Sequence, residues 1–378
     1  MAGPSTIEWT DATWNPVRGC SRISPGCGGP GKQGGCYAEK IAARFSDPGM
    51  TFHGFAERRN GEARWTGKLA LIDDMLTIPL HWKKPRRIFV NSMSDLFHEN
   101  LPDEAIDQVF AVMALCPQHT FQVLTKRAER MRKYLQADER ELAIAQAITT
   151  TWPNSPDKMP PVLEGDGEGS LIGLIRWPLP NVWLGVSCED QERANERIPH
   201  LLNTPASKRF ISAEPLLGPL NLTSGGEVTE VGHINWLRGF DGGDPAIPGL
   251  DWVIVGGESG PNARPMNPDW ARALRDQCIA AHVPFFFKQW GNWLPKKAGD
   301  GWSLGKDHIV FEDAGPKLYR GWPPTGGLTA PPEFLELVGK KSAGRHLDGI
   351  EHNEFPQQAA APGSPVVRVP HNAEVVVP

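Results

Sequence analysis

The strongest constraint on this chain is a rhythm. Short runs rich in Val, Ile, Phe and Trp return along it, separated by stretches with helical periodicity. The runs are "TIEWTDATW" (6–14), "KLALI" (68–72), "RIFVNS" (87–92), "TFQVLT" (120–125), "NVWLGVS" (181–187), "KRFISAE" (208–214), "DWVIVGG" (251–257) and "PFFFKQ" (284–289). Near-continuous apolar runs suit strands covered on both faces, and their alternation with helices reads as parallel βα units. The helical stretches carry their own signals. "PDEAIDQVFAVMALC" opens with proline and acids, and Ile106, Val109, Phe110 and Met113 form a stripe that Cys116 continues. In "NPDWARALRDQCIAA", Asn267 is the expected N-cap and Pro268 the first helical residue. Trp270, Leu274 and Cys278 share one face there, so Cys116 and Cys278 are both expected in the core. About eight such strands predict a TIM-type (β/α) barrel of six to eight parallel strands. An open doubly wound sheet is the alternative.

A length of 378 residues fits one large α/β domain with appendages. The barrel is expected over 1–295, with two long insertions. Residues 150–180 are Pro/Gly-rich and acidic, and 219–250 are glycine-rich; both read as functional loops or lids. Residues 296–356 read as a small C-terminal cap and 357–378 as a poorly ordered tail. No apolar run approaches the roughly 20 residues that cross a bilayer, and the N-terminus lacks the basic start and apolar core of a secretory signal. Six cysteines are too few for a disulfide scaffold, so a reducing cytoplasm is the expected compartment. A net charge of −5 argues against a protein that coats nucleic acid nonspecifically. The basic stretches "KKPRR" (83–87) and "KRAERMRK" (126–133) read as solvated faces, and most of the 14 tryptophans as core or lid packing.

In a barrel the chemistry sits at the C-terminal ends of the strands. A polar or charged group stands there on nearly every strand. Asn91 and Asp95 follow the 87–92 run, Lys126 the 120–125 run, and Ser187 ends the next. Glu214 ends "KRFISAE", Gly256, Gly257 and Glu258 close "DWVIVGG", and Lys288 closes "PFFFK". Asp95, Lys126, Glu214 and Lys288 are the candidate catalytic groups. Asn91, Ser187, Gly256, Gly257 and Glu258 are the candidate cofactor-binding groups. A structural ion-pair network among Glu214, Glu258 and Lys288 is the competing reading.

Half of the cysteines lie in one loop, "GCSRISPGCGGPGKQGGCYAEK" (19–40). Gly26 to Lys32 reads G-x-x-x-x-G-K, yet no Ser or Thr follows the lysine and no helix can start at Gln33-Gly34-Gly35, so a phosphate-binding loop is excluded. The spacing of Cys20, Cys27 and Cys36 is C-x6-C-x8-C. Zinc would need a fourth ligand, for which His53 is the candidate. Three thiolates also suit a [4Fe–4S] cluster with one open iron, able to bind a cofactor such as S-adenosylmethionine. The helix beginning at Cys36 would turn its N-terminal dipole toward an anionic cluster.

These motifs resemble the phage-associated three-Cys-motif family, described only as a domain of unknown function. The resemblance rests on "IEWTDATWNPVRGC", "CYAEK", "RWTGK", "RIFVNSMSDLFHE", "FQVLTKR", "NVWLGVSCEDQ", "RFISAEPLLGP", "DWVIVGGESG", "PFFFKQWG" and "AGRHLDGIEHNEFP", in order across most of 7–356. It implies a radical S-adenosylmethionine-like protein from a phage or bacterial setting, loosely similar to spore photoproduct lyase, with a three-Cys-motif partner protein. The chain departs from the family's usual C-x6-C-x2-C by the inserted glycines of "GGPGKQGG", which can loop out between the ligands. The expected function is radical chemistry on a nucleic acid base or nucleotide. Two other readings are a metal-stabilised binding component of a two-protein system without turnover, and a zinc-dependent hydrolase or nuclease with Asp95, His98 and Glu99 as ligands.

Overall fold

Seven of the eight apolar runs join one sheet. The structure, a computed structural model, describes residues 2–29, 34–151, 176–228, 232–240, 246–297, 300, 305–313, 315–320 and 333–357. Most of the 150–180 insertion and nearly all of the 357–378 tail therefore lie outside the described residues. The strands are β1 (Ala2–Pro4), β2 (Ala12–Trp14), β3 (Arg87–Val90), β4 (Thr120–Thr125), β5 (Val182–Ser187), β6 (Lys208–Ala213), β7 (Trp252–Gly256) and β8 (Phe285–Gln289). They are hydrogen-bonded in chain order from β1 to β8. β1 pairs antiparallel with β2, and every later pairing is parallel.

That order overturns the doubly wound alternative, which requires a point where the winding reverses. Here each crossover moves one place in the same direction. Helices make most of the crossovers: α2 (Asp103–Ala114) before β4, α3 (Ala128–Leu135) and α4 (Arg140–Thr151) before β5, α5 (Gln191–Leu202) before β6, and α6 (Pro268–Ala281) before β8. Asn267 caps α6 through Asp269 N, with Pro268 opening the helix. Cys116 and Cys278 are fully buried in the main core between sheet and helices, as their apolar spacing requires, and Cys188 is buried there too. No helix among the described residues is long and apolar enough to cross a membrane.

The other face of the sheet is lined by Phe89, Trp183, Phe210, Trp252, Ile254 and Phe286, packed around Trp9. The Trp9 ring centroid is 4.7 Å from Phe89 on β3 and 6.2 Å from Trp252 on β7. Four strand intervals at about 4.8 Å would separate β3 from β7 by roughly 19 Å in a flat sheet. One indole touches both, so the sheet is strongly curled with the aromatic cluster inside the curl. Residues 350–356 complete this cluster from the far side. Phe287 N–H donates to the His352 carbonyl along the β8 edge, at 3.0 Å. The Phe355 ring lies 5.1 Å from Trp252, and the Arg87 guanidinium of β3 sits 4.2 Å over its face.

Three expectations change. "KLALI" is not a strand of the main sheet: Ala70–Leu71 pairs antiparallel with Val17–Arg18 in a separate ribbon. The described part of 219–250 is not a lid, since Trp236, Leu237 and Leu250 are buried in the main core between β6 and β7, where the other crossovers carry helices. In "KRAERMRK", Arg127 is buried and not solvated, whereas Lys133 pairs with Glu129 on the surface as expected. The cap sheet comprises Trp293–Lys297, Glu333–Leu337, His308–Glu312 and Gly315–Tyr319 in that antiparallel order.

Candidate functional site

Between β2 and β3 the chain leaves the sheet, and this excursion carries the three cysteines over the C-terminal ends of the strands. A cavity of about 540 Å³ lies beneath it. Cys20, Cys27 and Cys36 line this cavity together with Asn91, Asp95, Lys126, Ser187, Glu214, Gly257, Glu258 and Lys288. Of the candidate catalytic, cofactor-binding and cysteine residues only Gly256 is set back from it. Its backbone lies under the Glu214 carboxylate instead.

The eight-residue gap between Cys27 and Cys36 does not separate them. The Cys36 N–H donates to the Cys27 carbonyl at 3.2 Å, and Cys36 is the N-cap of α1 (Tyr37–Arg44). All three thiols are free. Burial pushes the Cys20 thiol up to about 12, with the nearby Asp95 charge adding to it and Arg127 opposing it. Burial raises Cys36 as well. Among the described residues no group of three or more His, Cys, Asp and Glu side chains converges on one metal-ion position. His53, the expected fourth zinc ligand, is exposed outside the cavity with Nδ1 3.1 Å from the Ser46 carbonyl.

Buried carboxylates hold the loop by its backbone. The Gly26 N–H, beside Cys27, donates to Glu189 Oε1 at 3.1 Å, and the Gly35 N–H, beside Cys36, donates to Glu258 Oε1 at 3.2 Å. Each acid has its own arginine: Arg197 Nη1 is 3.0 Å from Glu189 Oε2, and Arg264 Nη2 is 2.7 Å from Glu258 Oε1. Burial alone would raise both carboxyls. Lys126 and Arg197 hold Glu189 below its ordinary value, and Arg264 does the same for Glu258. A third acid, Glu39, binds Arg22 and accepts the Trp65 N–H. Glu258, expected as a cofactor-binding group, lines the cavity while engaged with the loop and Arg264.

Cys20 is held differently. Its neighbour Ser21 accepts from Arg127 Nη2 through both its hydroxyl, at 2.9 Å, and its carbonyl, at 3.2 Å. Arg127 also binds Asp95 Oδ2 at 3.0 Å and Glu99 Oε2 at 2.8 Å. Asp95 further accepts from the Thr125 hydroxyl and the Lys126 N–H. His98 Nε2 lies 2.8 Å from the Ser21 hydroxyl, and its pKa is lowered by burial and then by Arg127. The residues expected as a zinc triad, Asp95, His98 and Glu99, thus surround a guanidinium that neutralises both carboxylates. Asp95, expected as a catalytic group, lines the cavity with both carboxylate oxygens hydrogen-bonded.

Lys288 Nζ lies 2.6 Å from Glu214 Oε1. Ser187 and Lys126 also line the cavity. Asn91 takes a left-handed backbone at φ 58°, and its Oδ1 accepts from Val17 N, so it braces the start of the cysteine excursion. Gly257 is needed for packing, because a side chain would overlap the Trp290 carbonyl.

Arg127, Glu189, Arg197 and Arg264 take part in holding the cysteine loop without being among the candidate site residues. One local signal pointed toward them. Every cysteine of the loop follows a glycine, as Gly19-Cys20, Gly26-Cys27 and Gly35-Cys36. Glycine at these places marks close approach by another group. No curated protein and no solved structure matches the chain. A family model described as a protein of unknown function, DUF5131, matches residues 4–356, and the chain belongs to that family.

Proposed function

We propose that the protein is an iron–sulfur protein of the radical S-adenosylmethionine type, with Cys20, Cys27 and Cys36 as ligands of a [4Fe–4S] cluster. The observation that supports this is the return of Cys36 to Cys27 across an eight-residue gap, with Cys20 on the same cavity wall. In a cube each thiolate takes a different iron, so the thiols need to share a wall without converging on one point. When bound, such a cluster supplies the electron that starts radical chemistry on S-adenosylmethionine.

The chain's own residues would do the rest. Cys20 and Cys36 must release their protons to ligate, so loading is favoured as pH rises. Lys288 and Glu214 present opposed charges on one rim, suited to the carboxylate and ammonium of an amino-acid group. Trp9, Phe89 and Leu124 add apolar surface to the cavity lining, and its volume falls in the range for a nucleoside-sized ligand. The fold reading that accompanies this is a partial (β/α) barrel, supported by the unreversed strand order and the curl around Trp9. Six free thiols fit a reducing cytoplasm.

Anaerobic purification tests the reading. The protein should be brown, with about four irons per chain. Dithionite and S-adenosylmethionine should then yield 5′-deoxyadenosine. Colourless protein carrying stoichiometric zinc overturns the proposal. An intact cluster that never yields that product would assign the protein a binding role without turnover.

A further inference from the structure

Two glutamates stand at the ends of different strands and perform the same task. Glu189 follows β5 and is fully buried; Glu258 follows β7 and is 6% exposed. Each has an arginine within 3.0 Å, and each uses a carboxylate oxygen to accept one backbone N–H from the glycine before a loop cysteine. The approach is close in both cases. A Cβ on Gly26 would lie 3.0 Å from Glu189 Oε1, and one on Gly34 would overlap both carboxylate oxygens of Glu258. Gly34 also has φ 58°, a left-handed conformation that glycine adopts without strain. Arg127 secures the third cysteine through Ser21, from the end of β4.

We propose that Glu189 and Glu258 are positioning residues, which hold Cys27 and Cys36 in their ligating arrangement before anything binds. The acids act through the loop backbone and do not themselves ligate. The three holds come from separate strand ends, so each governs its own cysteine. The glycines at 26 and 34 then follow from the need to bring backbone N–H groups against buried carboxylates. The gap between Cys27 and Cys36 is tolerated because its two ends are held at separate strands, one at β5 and one at β7, and are joined by the Cys36 N–H to Cys27 carbonyl bond. This goes beyond the functional reading, since it concerns the metal-free chain whatever the thiols bind.

The experiment uses metal-free, reduced full-length protein, so its outcome is separate from that of the iron assay. Hydrogen exchange over 24–28 and 34–37, and alkylation of each thiol by iodoacetamide, are followed by mass spectrometry. E258Q should raise exchange around Gly35 and alkylation of Cys36 about tenfold, the factor for about 1.4 kcal/mol of lost local stability, while Cys20 is unchanged. E189Q should do the same at Gly26 and Cys27. E258D, which keeps the charge for Arg264, should recover part of the protection. Where a Gln variant does not fold, Gly34→Ala and Gly26→Ala displace the same contacts from the loop side. Gly61→Ala is the control, having φ 78° and nothing within 4 Å of its Cβ. Site-specific loosening supports the proposal. Unchanged exchange, or loosening that affects all three cysteines equally, overturns it.

Discussion

Lys288 Nζ lies 2.6 Å and 2.8 Å from the two carboxylate oxygens of Glu214, although β7 runs between their strands. The pair spans β7 where Gly256 has no side chain; a Cβ there would sit 3.3 Å from Glu214 Cδ. Both groups are mostly buried, at 13% and 20% exposed. Removing one partner leaves a desolvated charge. Lys288→Met should cost about 2–3 kcal/mol in urea denaturation, and adding Glu214→Leu should recover most of it. A purely additive double variant would show that the pair does not interact.

The rhythm of apolar runs was readable because both faces of a covered strand must be apolar, as in Ile88-Phe89-Val90. "KLALI" misleads for the same reason, since four successive apolar residues look alike in a barrel strand and in a short ribbon. The curl was not readable. Trp9 belongs beside Phe89 and Trp252 only once the sheet has bent, and no local pattern records that bend. At the site, crowding of cysteines in a loop without apolar periodicity marked the ligand candidates. The acids were visible as strand-end residues, but their targets were not. Glu258 and Gly35 are 223 residues apart, and whether a strand-end carboxylate meets a ligand or a backbone N–H is settled by tertiary contact.

Arg127 should be the least replaceable side chain near Cys20. It is 5% exposed and joins Asp95, Glu99 and Ser21. Arg127→Met would leave Asp95 buried without its counter-charge, a loss of about 3–5 kcal/mol. Arg127→Lys should retain only part of this, because a single ammonium cannot reproduce the planar fork that reaches both acids and the serine. Urea midpoints of the two variants check the order. Equal stability of Lys and wild type would refute the fork's role.

Phe355 closes the underside of the curl by contacting Trp252 and Phe286 while stacking under Arg87. Truncation removes aromatic contact from three strands at once. Phe355→Ala should lower stability by about 2–4 kcal/mol, near the lower part of the range for large core rings because the side chain is only partly buried. Near-UV circular dichroism should weaken as the tryptophan cluster loosens. An unchanged spectrum and midpoint would mean that the 350–356 segment merely rests on the sheet.

The link between α6 and the C-terminal region should respond to acid. Asp348 accepts from Arg272 Nε at 3.0 Å and from Arg275 Nη1 at 2.7 Å. Arg272 lowers the Asp348 carboxyl from its ordinary 3.8; partial burial opposes the shift and Arg275 adds to it. A carboxyl lowered in the folded state contributes stability that is complete above its unfolded value and is lost as pH falls through the folded one. The contact should therefore hold above about pH 4 and weaken progressively below it. Hydrogen exchange of residues 344–356, followed from pH 6 to pH 3 with correction for intrinsic rates, should show loss of protection over that window. Asp348→Asn should start with less protection and change less on acidification. A wild-type and variant pair with the same pH dependence would exclude Asp348 as the titrating group.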